Sequence, residues 1–173
     1  MLFEKILHLE RQWDGFNKKS FNADELLAFI SSQNIIALPD KSVYSAVLFK
    51  YKNIPFILYS PYLPEPLLVL SLGHELGHYS LGHLDWLTLE QSYLKFLSTC
   101  GFEKDAGIIG FLFAIPTPKL LKLELEHRLF PEELFRELNY FSDLAEDELW
   151  QICERRIRIY KAYKRFLKQL TKT

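Results

Sequence analysis

The sequence predicts an α+β fold, mainly helical with a small sheet of about three strands, and three patterns lead to it. Two short runs of β-branched and aromatic residues, 43–49 and 54–59, flank the turn-like Lys50-Tyr51-Lys52-Asn53 and read as a hairpin. A connector carrying Pro61, Pro64 and Pro66 leads into residues 67–84, which read as one long helix interrupted only by glycines. Both ends of the chain place apolar residues among charges at helical spacing.

Taken in order, a first helix is expected over residues 2–13 and a second over 23–35. Asn22 caps the second, Glu25 completes a capping box, and Leu26, Leu27, Phe29 and Ile30 supply its buried face. In the hairpin, Pro55 has no N–H for a ladder, so its strand begins there or lies at a sheet edge. The helix over 67–84 follows, and another is expected over 103–115, stopped by Pro116-Thr117-Pro118. Pro131 suits the first helical position ahead of Glu132 and Glu133. A closing helix carries Trp150, Cys153, Ile157, Tyr160, Leu167 and Leu170 at helical spacing. Neither a repeat nor a linker divides the chain, so one domain is expected: N-terminal helices over 1–40, a hairpin and central helices over 41–118, and C-terminal helices over 119–173.

Composition narrows the function classes. With 173 residues, 49% hydrophobic and 25% charged, and only 7 Gly and 8 Pro, the chain is neither disordered nor collagenous. Two cysteines, Cys100 and Cys153, make no disulfide framework and read as small buried apolar residues. The first eleven residues carry charges throughout and lack the apolar core of an export signal. The longest uncharged apolar run, 106–116, is about half the roughly 20 residues a membrane span needs. A soluble cytoplasmic protein without membrane contact is therefore expected. Net charge is −1, but residues 155–173 hold Arg155, Arg156, Arg158, Lys161, Lys164, Arg165, Lys168 and Lys172 and no acid. Because these surround an apolar helical series, they read as the solvated outer face of a docked helix rather than as a direct nucleic-acid contact.

The chemistry lies on the central helix. Residues 73–83 read Gly73-His74-Glu75-Leu76-Gly77-His78-Tyr79-Ser80-Leu81-Gly82-His83 and contain three of the five histidines. His74 and His78, at i and i+4, project from one helix face and suit a shared Zn²⁺, one per chain. Glu75 points about 100° round, where its carboxylate can serve as general base toward water without occupying a coordination position. Gly77 between the ligands costs helix stability of about 1 kcal/mol against Ala, which suggests that something packs close to it. A catalytic zinc usually has three protein ligands. His83 fails as the third: in the arrangement that uses a later histidine, Gly and His stand seven and ten residues after the first, and Leu81 and Leu84 occupy those positions here. The alternative is a carboxylate on a following segment. Glu103 opens a helix whose Ala106, Gly107 and Gly110 form a small-residue face able to lie against the metal helix; Asp105 and Glu90 are the other candidates. Tyr79, His83, Tyr44, Tyr59 and His127 are all chemically suited to stabilise an oxyanion, and spacing does not choose among them.

From residue 44 to 116 the sequence resembles the ImmA/IrrE family of gluzincin-type metallo-endopeptidases. In that family a hairpin precedes a helix bearing His-Glu-x-x-His followed by Leu and His, matched here by His74 to His78 and Leu81-Gly82-His83, and the family's downstream Glu, Ala and Pro are matched by Glu103, Ala106 and Pro116. Before that proline the chain departs from the family's usual residues at Gly107, Ile109, Gly110, Phe113, Ala114 and Ile115. The resemblance implies a zincin-like fold in which the edge strand of the sheet receives an extended substrate chain, with Glu103 as third ligand and Glu75 as catalytic base. It also implies cleavage of a regulatory protein, commonly a helix-turn-helix repressor. The alternative from another class is a non-catalytic regulator, its metal supporting the fold, that binds DNA or a partner through the basic C-terminal helix.

Overall fold

The computed structural model describes residues 1–83, 101–138 and 144–172. In chain order the elements are α1 (Leu2–Gln12), α2 (Ala23–Ser32), β1 (Ile36–Pro39), β2 (Ala46–Tyr51), β3 (Ile54–Tyr59) and α3 (Glu65–Leu81). Four helices follow: α4 (Gly101–Ala114), α5 (Thr117–Leu125), α6 (Pro131–Glu137) and α7 (Glu146–Leu170). The class is mixed α+β, mostly helical, with a small three-stranded sheet. No single helix among the described residues is long and apolar enough to cross a membrane. The chain forms two compact units, one of residues Met1–Lys19 with Ile115–Thr173, the other of Ser20–Ala114.

In the first unit the described elements are all helices. Ile6 and Leu9 of α1, Leu120 and Leu123 of α5, Leu134 of α6 and the inner stripe of α7 are buried. The Phe3 ring lies 5.5 Å from that of Tyr163 and 5.6 Å from that of Phe166. Glu10 accepts hydrogen bonds from the Tyr163 hydroxyl and the Asn17 amide, and Asn17 Oδ1 in turn accepts the Thr117 N–H at 2.7 Å. Cys153 is buried as expected, and burial pushes its thiol pKa up to about 12; Cys100 lies outside the described residues.

The basic run departs from expectation at one position. Arg158, Lys161, Arg165 and Lys168 are exposed, but Arg156 is fully buried. The helix wheel gives the reason: Arg156 sits amid Ile152, Cys153, Ile159, Tyr160 and Tyr163, at the centre of the buried stripe. Trp150 and Leu170, expected on that stripe, are exposed.

In the second unit the hairpin is tighter than its sequence suggests. Lys52 and Asn53 both take left-handed φ, 48° and 66°, so two residues make the turn and β2 continues to Tyr51. The third strand, β1, begins where the second helix was expected to be ending: α2 stops at Ser32 and Asn34 turns the chain with φ 59°. The strand order is β1-β3-β2, with β1 parallel and β2 antiparallel to β3. Pro55 pairs with Lys50 on one side and lies just ahead of the residues that β1 pairs, so no ladder donor is missed there. The expected cap of α2 is present, with Glu25 N–H on Asn22 Oδ1 at 2.8 Å and Asn22 N–H on Glu25 Oε2 at 3.1 Å. Leu70, Leu72 and Leu76 of α3, Leu48 and Ile57 of the sheet and Ile109, Phe111 and Phe113 of α4 form a closed core. Each such side chain contributes about 1.5–3 kcal/mol by leaving water.

Candidate metal centre

Three neighbouring stripes of α3 carry three different jobs. The first is bare. A methyl group added at Gly77 would lie 2.6 Å from the carbonyl oxygen of Ala106, and one at Gly73 would lie 3.0 Å from the Gly110 Cα. Reciprocally, one at Gly110 would meet the Leu70 carbonyl oxygen at 2.9 Å. The two helices therefore touch backbone to backbone and run antiparallel, since rising numbers on α3 meet falling numbers on α4. The close packing expected at Gly77 is found, and α4 supplies it.

Rotated from this stripe are His74 and His78, both buried. Sliding one turn beyond the Gly77–Ala106 contact brings the first turn of α4, and Glu103 with it, to the histidines. His74 Nε2 lies 2.9 Å from Glu103 Oε2, His78 Nε2 lies 3.4 Å from Glu103 Oε1, and the two Nε2 atoms are 3.0 Å apart. On the third stripe, Ser71 and Glu75 face β2. Ser45 Oγ donates to Ser71 Oγ at 2.9 Å, and the Leu48 amide donates to Glu75 Oε2 at 2.9 Å. Glu75 is buried, yet it stands apart from the His74, His78 and Glu103 group that could hold a metal ion.

The donor set fits a small divalent cation. Glu103 is held well below the usual carboxylate range by its hydrogen bonds to His74 and then His78, so it is present as the anion a ligand must be. His74 Nε2 lies within hydrogen-bond distance of both Glu103 Oε2 and His78 Nε2, and the single N–H it can carry cannot be directed at both. A cation at their centre satisfies all three. Bonds of about 2.0–2.1 Å to a tetrahedral ion set ligand atoms about 3.3 Å apart, close to the 2.9, 3.0 and 3.4 Å separations here. His74 Nδ1 is buried without a partner, whereas His78 Nδ1 has one in His83.

The carboxylate left open by spacing alone is thus placed. Asp105 is outside the converging group, and Glu90 lies outside the described residues. Among the oxyanion candidates Tyr44 is exposed, and His127 belongs to the helical unit. His83 lies next to His78. Gly82 ends α3 in the left-handed conformation, φ 75°, and turns the chain back so that the buried His83 Nδ1 comes 3.2 Å from His78 Nδ1. The Gly-His step after the helix is the only sequence signal for this contact. The Leu48 amide has none, because any residue offers an N–H. Comparison of the chain with protein-family models, curated proteins and solved structures gives no match in any of the three.

Proposed function

We propose that this chain is a zinc-dependent endopeptidase of the ImmA/IrrE type, with a zincin-like core. The observation that carries the reading is the division of labour between two acids: Glu103 converges with His74 and His78, while Glu75, on the same helix as the histidines, is held back from them by the Leu48 amide. A purely structural site has no use for such a spare carboxylate and usually closes its fourth position with protein.

His74, His78 and Glu103 would hold the ion. Bound zinc supplies Lewis acidity, which polarises a peptide carbonyl and makes a nearby water acidic close to neutral pH. Glu75 would accept a proton from water through the carboxylate oxygen not bonded to Leu48 and pass it to the leaving amine. The same Leu48 N–H shows which way β2 faces. It points away from β3, and by the alternation of an antiparallel ladder Ala46 and Lys50 also present their N–H and C=O groups on that outer edge. An extended substrate chain paired along this edge lies beside Glu75. The family resemblance makes a helix-turn-helix repressor the substrate to try first.

One observation favours a second reading. Arg158, Lys161, Arg165 and Lys168 form an exposed basic stripe on α7, which suits a non-catalytic DNA-binding regulator. The two readings separate cleanly. Purified protein should carry about one zinc per chain, and Glu75→Gln should retain it while cleavage of a co-expressed repressor from the same genome drops by about 10²-fold or more. Undiminished cleavage by Glu75→Gln would remove the proposed base. Salt-dependent DNA binding without cleavage, lost when Lys161, Arg165 and Lys168 become Gln, would establish the regulator instead.

A further inference from the structure

We infer that His83 is a positioning residue of the metal centre, accepting the Nδ1 proton of His78 and so fixing the tautomer in which His78 Nε2 is free to bind the ion. The inference rests on the metal reading above and adds to it a residue outside the ligand set.

The geometry leaves few options. His78 directs Nε2 toward Glu103 and His74, and its Nδ1 lies 3.2 Å from His83 Nδ1. Two ring nitrogens at that distance share one proton: one must donate and the other accept. If His78 keeps its proton on Nδ1, Nε2 carries a lone pair toward the converging donors; if His83 Nδ1 is the donor, a neutral His78 must be protonated on Nε2 and is lost as a ligand. Both rings are buried, so water does not readily replace either partner. His83 is itself set in place from two directions. Gly82 adopts a left-handed turn that a side chain there would strain, and the Phe102 ring lies with its centroid 4.4 Å from that of His83. Phe102 and Glu103 are adjacent in the first turn of α4, so one turn of helix supplies both the carboxylate facing the two histidines and a wall for the ring behind one of them. Outer partners of this kind orient a metal-binding histidine, and their removal typically costs 10–100-fold in metal affinity.

The test is a titration of the metal-free full chain with Zn²⁺ against a competing chelator, for the wild type, His83→Leu and His83→Asn. His83→Leu should bind zinc about 10–100-fold more weakly, and His83→Asn, whose Oδ1 can accept from His78 Nδ1, should recover most of the loss. Equal affinity in His83→Leu, or Asn no better than Leu, overturns the inference. A second measurement needs no variant: nitrogen NMR of the imidazoles in the metal-free wild type should find neutral His78 protonated at Nδ1, and protonation at Nε2 would overturn it equally. Failure of the wild type to bind zinc at all would instead remove the metal reading on which this one stands.

Discussion

Both units of this protein bury ionisable side chains, and they satisfy them in opposite ways. Arg156 in the helical unit is fully buried, and among the described residues no carboxylate pairs with it; its Nε donates to the Ile115 carbonyl at 2.6 Å and its Nη2 to Thr117 Oγ1 at 3.1 Å, while Nη1 has no partner. Burial lowers its pKa to about 9. In the sheet-containing unit, His74, His78 and Glu103 crowd together with more acceptors than protons. The first arrangement spreads one cation over two neutral acceptors and leaves both N–H groups of Nη1 without one. The second stays in conflict until a cation arrives. The two mismatches have opposite sign: N–H groups are in excess around Arg156, whereas lone pairs a cation could use meet at His74, His78 and Glu103.

The largest effect should come from breaking the cluster. His74→Ala or Glu103→Gln should weaken zinc binding by more than about 100-fold in chelator competition, beyond the loss typical of outer partners. Zinc at 1,000 times its dissociation constant should stabilise the wild type by about 4 kcal/mol and raise the melting temperature, a shift these variants should lose. If both variants keep wild-type affinity, the cluster is only a polar network and the contrast with Arg156 disappears.

How much of this was legible beforehand follows from where each constraint is written. His74, Glu75 and His78 share one helix, so a 3.6-residue period displays them directly. Glu103 comes from a second helix, and spacing alone puts it ahead of Asp105 and Glu90 without deciding for a ligand; the backbone contact of Gly77 with Ala106 sets the sliding of α4 that brings it to the histidines. The hairpin announced itself through β-branched residues, whereas β1, four residues ending in proline, carries no alternation to read. Arg156 was taken with the charged run because residue type outweighed its place on the α7 wheel.

Gly77 supplies the next test. Ala is the better helix former by about 1 kcal/mol, so Gly77→Ala would stabilise an isolated helix. Here the added methyl meets the Ala106 backbone at 2.6 Å and cannot be accommodated by a side-chain rotation. The net outcome should be a loss of about 1–3 kcal/mol in denaturant unfolding, with weaker zinc binding as α4 is pushed outward and Glu103 with it. Gly73→Ala, whose nearest contact is 3.0 Å, should cost less on both counts. An Ala at Gly77 that leaves stability and zinc affinity intact would mean that the helix spacing does not set the site.

Arg156 should give the smallest effect and the sharpest form of the contrast. Arg156→Met keeps most of the side-chain volume and removes the cost of holding a cation away from water, which in other buried charges has been neutral or stabilising. Against this, the Ile115 carbonyl loses its donor, a penalty of about 1–3 kcal/mol for a buried group left unpaired. The two nearly offset, so stability should stay within about 1 kcal/mol of the wild type, with zinc affinity unchanged. Arg156→Ala, which also opens a cavity, should cost about 2–5 kcal/mol. If Met proves as costly as Ala, the guanidinium's hydrogen bonds to Ile115 and Thr117 at the start of α5, and not its bulk, hold that turn, and the cation has a structural purpose.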